Sequence, residues 1–243
     1  MSLGQLTVIA ALGAGASFSQ SLSGFGFSLL IIPPLTFVVG PKEAVVTATL
    51  MGMITSALTI AAMRESVVWK LAGFLFLASA VGMPVGLLIL IAVDAEALRL
   101  LIAVTVLLAA FLTWRGYRLS ASRTSADAIA GFLSGVLSTS IGMSGPPLVL
   151  HFQNRGIRPA SFRATLNALF LAGGVLASFL FALSGRIGEH EMVAMLAAAP
   201  LIWLGWLAGH HSFGHLNAAR FQQVTLMVLV LSATSAIAGM VSR

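Results

Sequence analysis

The sequence contains no cysteine, which excludes a disulfide framework, a thiol nucleophile and a Cys-ligated metal. Charge is nearly as scarce. Its 13 Lys or Arg and 7 Asp or Glu make up 8% of 243 residues, where soluble domains carry roughly 25%. With 58% apolar residues and a mean hydropathy of +1.02, an ordinary water-soluble globule is excluded. The few acidic residues, Glu43, Glu65, Asp94, Glu96, Asp127, Glu189 and Glu191, all lie at the edges of apolar blocks or between them. Proton and cation pathways usually carry carboxylates at mid-membrane. Their absence disfavours a cation pump and suits an anion carrier, because a buried carboxylate would repel the substrate. No phosphate-binding loop, dinucleotide fingerprint or metalloprotease motif is present, and no spacing sets a Ser and a His on one helix face. Neither an enzyme nor a cofactor is therefore expected.

What is present is a series of apolar blocks, near 4–39, 44–63, 67–92, 97–114, 127–152, 160–183, 192–209 and 221–241. About 20 apolar residues cross the hydrocarbon once, so the expected fold is an all-α integral membrane protein with no separate soluble domain. Ala14-Gly15-Ala16 would suit a signal cleavage site, but no positive n-region precedes it and the apolar run continues to about Val39; retention is expected. The net charge of +6, from 11 Arg and 2 Lys, reads as membrane orientation rather than nucleic-acid binding.

Two blocks are interrupted. The first is too long for one crossing and contains Ser23-Gly24-Phe25-Gly26 and Pro33-Pro34; the fifth contains Ser138 through Pro147. Gly and Pro break membrane helices where protein or water satisfies the freed backbone, so both are candidates for broken or re-entrant elements lining a cavity. The breaks are related by half the chain. Gly24 falls opposite Gly142, Ala48-Thr49-Leu50 opposite Ala164-Thr165-Leu166, Gly82 and Gly86 opposite Gly205 and Gly209, and Arg99 opposite Arg220. This ordered series predicts two repeats of four hydrophobic segments, 1–120 and 121–243, with a spacer from Arg115 to Asp127.

Positive charges bear on topology. If each broken element doubles back, one face holds Arg64, Lys70, Arg115, Arg118, Arg123, Arg155, Arg158, Arg163 and Arg220, and the other Lys42, Arg99, Arg186 and Arg243. Nine against four obeys the positive-inside rule. Both termini are then outside the cytoplasm and the two halves are inverted repeats, as in many secondary transporters.

The breaks are polar as well as glycine-rich. Ser19, Gln20, Ser21, Ser23 and Ser28 surround the first, and Ser138, Thr139, Ser140 and Ser144 the second. Backbone N–H groups at half-helix N-termini carry partial positive charge, and hydroxyls add donors. The candidate substrate-binding set is Gln20, Ser21, Ser23, Gly24, Gly26, Thr139, Ser140, Gly142 and Ser144, backed by Thr49, Thr165 and Asn167. For each Ser or Thr the alternative is a bond back to its own helix, and for Asn167 it is a helix–helix contact. His151 is the candidate for proton coupling, or else an interfacial His beside Gln153 and Asn154. His210, His211 and His215 are expected in a loop, without the carboxylates that would make a metal site. Arg155, Arg158 and Arg163 either attract anions to a mouth or set topology, and Trp69, Trp114, Trp203, Trp206 and Tyr117 fit interfacial belts.

Gly24-Phe25-Gly26-Phe27-Ser28 with Pro33, and Gly142-Met143-Ser144-Gly145-Pro146 with His151 opposite Pro33, resemble the paired Gly-rich stretches of the TauE/SafE family of sulfite and organosulfonate exporters, formerly a family of unknown function. Both depart from that family's full glycine triplet. The resemblance implies secondary export of a small sulfur-containing anion, such as sulfite or sulfoacetate, across the bacterial inner membrane. The partners it leaves are the anion, the bilayer and H+ or Na+ as coupling ion; a homodimer is compatible. A passive anion channel would use the same breaks without coupling.

Overall fold

A computed structural model describes residues 1–114, 124–153 and 155–213. Arg115, Tyr117, Arg118, Arg123, Asn154, His215, Arg220, Arg243 and the block at 221–241 lie outside these, as does the side chain of Trp114. The described residues form helices α1 (Leu3–Ser23), α2 (Phe27–Val38), α3 (Pro41–Met63), α4 (Trp69–Ala92), α5 (Ala95–Trp114), α6 (Thr124–Ile141), α7 (Gly145–Gln153), α8 (Pro159–Leu183) and α9 (Glu189–Phe213), with a short 3-10 turn at Arg64–Ser66 and no strand. Five helical stretches, Leu3–Ser23, Pro41–Ser66, Trp69–Ala92, Pro159–Leu183 and Glu189–Phe213, are long and apolar enough to cross a membrane. Their outward faces are apolar too: Leu77 and Val81 on α4, Phe179 and Leu183 on α8, and Leu196 and Leu204 on α9 are all exposed. Such surface is stable against lipid, not water.

Local chemistry sets the helix starts. Ser2 and Gln5 form a reciprocal capping box on α1, and Pro41 and Pro159 occupy the first positions of α3 and α8, where a missing N–H costs nothing. The first break is a glycine stop: Gly24 caps α1 at φ 90° and Gly26 opens α2 at φ 102°, a left-handed geometry open to glycine at little cost. Gly142 repeats it at φ 71° between α6 and α7. The expected second interruption at Pro33-Pro34 is absent, since α2 runs through both prolines to Val38. Proline tolerates helical φ, and Thr36 Oγ1 donates to the Pro33 carbonyl at 2.8 Å.

Polar contacts fix the direction of each element. Gln5 Nε2 donates to the Val38 carbonyl at 3.3 Å, so α2 ends beside the start of α1; this is the near end. Lys42 Nζ donates to the Ile91 carbonyl at 3.0 Å and Arg99 reaches the Thr36 carbonyl at 3.5 Å. The start of α3, the end of α4 and the start of α5 are thus also at the near end. The second hairpin closes at the opposite, far end, where Asp127 in the first turn of α6 meets both His151 near the end of α7 and Arg155. The Val68 N–H donates to Thr165 Oγ1 at 3.0 Å, placing the starts of α4 and α8 there.

Helix packing follows the small residues. A Cβ on Gly82 or Gly86 would run into the carbonyl of Phe132 or Val136 on α6; on Gly205 or Gly209 it would meet that of Ala14 or Phe18 on α1. Phe132 and Val136 stand 118 residues beyond Ala14 and Phe18, the spacing between Gly24 and Gly142. Backbone-to-backbone approach of this kind is how membrane helices gain dispersion energy without a hydrophobic driving force.

Candidate functional site

The two breaks face each other across a small cavity of about 50 Å³, room for a few water-sized groups. One wall is Gly26, Phe27, Ser28 and Leu29, the start of α2. The opposite wall is Gly142, Met143, Ser144 and Gly145, the start of α7. Gln20 and Ser138 flank the breaks, while Ala48, Thr49, Gly52, Met53 and Ser56 of α3 and Phe170 and Gly174 of α8 complete the lining. Among the described residues, no carboxylate and no basic side chain lines it. Two helix N-termini therefore point at one space, and α2 has no side-chain cap to occupy its first turn. The first N–H groups of a helix have no intrahelical acceptor, and their positive end of the dipole favours an anion; α7 contributes fewer of them, because Pro146 and Pro147 in its first turn carry no N–H. An adjoining pocket of about 10 Å³ shares Ser138, Ser144 and Phe170 and adds Ser79 and Ser134.

The candidate residues divide into those on the wall and those behind it. Gln20, Gly26, Thr49, Gly142 and Ser144 line the cavity. Gln20 is 3% exposed, and its Nε2 donates to Ser56 Oγ at 2.9 Å and to Asn167 Oδ1 at 2.8 Å. Thr49 Oγ1 donates back to the Val45 carbonyl at 2.8 Å. Behind the wall, Asn167 Nδ2 donates to the Gly24 carbonyl at 3.2 Å and to the Arg163 carbonyl at 2.8 Å, so the amide holds the break rather than facing the space. Ser23 Oγ lies 2.7 Å from the carbonyls of Ser19 and Phe25 and shapes the turn. Ser21 Oγ donates to the Trp206 carbonyl, Thr139 Oγ1 to the Met83 carbonyl and Ser140 Oγ to the Val136 carbonyl, at 2.8, 2.6 and 2.6 Å. Thr165 accepts the Val68 N–H.

Four side chains differ from their expected settings. Arg163, expected at a mouth or as a topology charge, has 0% exposure. His210 and His211 lie in the last turn of α9, not a loop, and the described residues contain no group of three metal-ligand side chains. Trp206 is turned inward: its Nε1 donates to Thr59 Oγ1 at 3.1 Å and its ring stacks on His210 at 4.9 Å. Trp69 and Trp203 are exposed, as a belt requires. His151 is buried, with Nε2 2.5 Å from Asp127 Oδ1.

Ser56 was not foreseen as a site residue. It lies mid-way along an unbroken apolar helix, and only its distance from Gln20 brings it to the cavity.

Several membrane-length helices, two of the helical elements broken at glycine and a polar cavity between the breaks, with no carboxylate among its described lining residues, define a membrane transporter. The chain belongs to the family described as Sulfite exporter TauE/SafE, whose sequence profile matches residues 9–236. It is also similar to a probable sulfite/organosulfonate exporter TauE of Cupriavidus necator, with 25% identity over 234 residues that cover 91% of this chain and 89% of that protein. No solved structure matches it.

Proposed function

We propose that the protein is a secondary transporter that exports a small sulfur-containing anion, sulfite or an organosulfonate such as sulfoacetate, across the bacterial inner membrane by alternating access. The observation that carries this is the convergence of the α2 and α7 starts on one carboxylate-free cavity. Its small volume favours an anion of few heavy atoms, and its serine hydroxyl and backbone donors match an oxyanion that carries its charge on oxygen. The substrate contacts are Gly26, Ser28, Ser56, Ser138, Gly142 and Ser144, on a wall that Gln20 and Thr49 complete. Ser21, Ser23, Gly24, Thr139, Ser140, Thr165 and Asn167 hold those contacts in place.

In this reading residues 1–120 and 121–243 are inverted repeats. The α1–α2 hairpin closing at the near end and the α6–α7 hairpin closing at the far end support it, as do the matched contacts of Gly82 and Gly86 with those of Gly205 and Gly209. Rocking of one half against the other around the cavity would expose it to each side in turn. The far end, with Arg64, Lys70, Arg155, Arg158 and Arg163, is the cytoplasmic one by the positive-inside rule, which leaves the N-terminus periplasmic. His151, paired with Asp127, couples transport to protons.

Counterflow of labelled sulfite in proteoliposomes tests the proposal. Internal unlabelled sulfite should accelerate uptake by the unaltered protein, and Ser28→Leu and Ser138→Leu should abolish the effect while the protein remains folded. Unchanged counterflow in both variants would overturn the site. Sulfite flux without counterflow would make the protein a passive facilitator.

A further inference from the structure

We infer that Arg163 forms a second anion subsite, between the central cavity and the far end, that takes the sulfo group of a small oxyanion. The inference rests on the transport of such an anion and adds a station on its route.

Arg163 lies in the second turn of α8 and is fully buried, the largest side chain so buried among the described residues. Its Nη2 donates to Ser21 Oγ at 3.3 Å and lies 2.9 Å from His210 Nδ1. An arginine N–H only donates, so Nδ1 accepts and the His210 proton sits on Nε2. The guanidinium carbon stands 4.5 Å above the Phe213 ring. Nε and Nη1 have no hydrogen-bond partner among the described residues. The ion pairs among the described residues all involve Asp127, with His151 and Arg155, so no carboxylate neutralises this charge.

A guanidinium stays protonated even when buried. Without a counter-ion it carries a desolvation penalty that a structural role does not require, since Ser21 and His210 occupy only Nη2. The unpaired donors, one on Nε and two on Nη1, lie on two edges of the guanidinium plane and offer charge-assisted hydrogen bonds to an oxyanion. A sulfite or sulfonate group, with three oxygens on one sulfur, supplies the acceptors and the charge together.

The subsite is also wired to the cavity. The Arg163 carbonyl accepts from Asn167 Nδ2, Asn167 Oδ1 accepts from Gln20 Nε2, and Gln20 is part of the cavity wall. Arg163 and Asn167 are one helical turn apart, about 6 Å along the axis. Anion binding at Arg163 therefore bears on the Asn167 amide that holds the Gly24 turn.

Trp206 supplies a reporter, because it stacks on the imidazole that Arg163 touches. With Trp69, Trp114 and Trp203 changed to Phe, the full chain in detergent is titrated with sulfite while Trp206 emission is followed. A saturable change is expected that persists in Ser28→Leu and weakens in affinity at least tenfold in Arg163→Gln. Arg163→Lys, which keeps the charge but loses the Nε and Nη1 donors, should weaken it as well and serves if the Gln variant does not fold. No response to sulfite, a response of unaltered affinity in the Arg163 variants, or its loss in Ser28→Leu would each overturn the subsite. Counterflow intact in Ser28→Leu and Ser138→Leu would instead overturn the central cavity and leave the Trp206 response standing.

Discussion

Gln20 Nε2 donates to Asn167 Oδ1 across 2.8 Å, joining the last turns of α1 to the early turns of α8. Both amides are at most 3% exposed, and between them they also engage Ser56 and the carbonyls of Gly24 and Arg163. An interhelical hydrogen bond inside a membrane protein contributes roughly 0.6 kcal/mol and up to about 1.7, while an orphaned buried polar group costs about 1–3 kcal/mol. Asn167→Leu strands both the Gln20 donor and the Gly24 carbonyl. It should lower stability by about 2 kcal/mol and depress sulfite counterflow with it. Thermal unfolding in detergent beside the transport assay checks this; an unchanged midpoint would show that the amide pair is not structural.

The glycines at the two breaks, Gly24 and Gly142, should respond unequally. Gly24 and Gly142 both have positive φ, so Ala at either is strained by roughly 1–2 kcal/mol. At Gly24 the new Cβ would also stand 2.9 Å from the Arg163 Cα, whereas at Gly142 it would stand 2.6 Å from the Cδ1 end of Ile32. A side-chain methyl can rotate aside and a backbone carbon cannot. Gly24→Ala should therefore cost more than Gly142→Ala, and equal losses in thermal midpoint would contradict the packing around Arg163.

The interface between α4 and α6 makes a sharper demand. Gly86 sits against both the Val136 carbonyl and Thr139 Oγ1, and Gly135 against the Ser79 carbonyl. Any Cβ at these points forces the helices apart and forfeits contacts along their length, so Gly86→Val or Gly135→Val should leave little monodisperse protein after extraction. Gly73 meets nothing within 4 Å, and Gly73→Ala should extract like the unaltered protein and gain slightly from helix propensity. Size-exclusion profiles in detergent separate the two outcomes.

These contrasts explain what sequence reading could reach. The breaks were legible because glycine clusters inside long apolar runs have few physical explanations in a bilayer, and Gly24, Gly26 and Gly142 do take positive φ. Which hydroxyls face the cavity was not legible. Ser23, Thr139 and Ser140 bond to nearby main chain, and a serine's choice between its own helix and a ligand leaves no trace in spacing. Ser56 was hidden for the opposite reason, since nothing around it on α3 interrupts the helix. Arg163 reads in sequence like its neighbours Arg155 and Arg158; its burial arises from the Gly24 turn, Ser21 and the end of α9 packing around it.

The far-end cluster yields a prediction about coupling. His151 is buried, its Nε2 lies 2.5 Å from Asp127 Oδ1, and Arg155 pairs with the same carboxylate. These contacts tie the end of α7 to the first turn of α6, so opening the cavity toward the far end by moving one against the other must stretch them. Protonation of His151 strengthens its attraction to Asp127, and proton loss weakens it. In proteoliposomes an imposed pH gradient should therefore change the rate of sulfite transport by the unaltered protein. His151→Gln, which keeps a hydrogen-bonding group but does not titrate, should make transport indifferent to the gradient while counterflow at equal pH on both sides persists. A His151→Gln protein that still responds to the gradient would remove the histidine from coupling and leave Asp127 and Arg155 as a structural clasp.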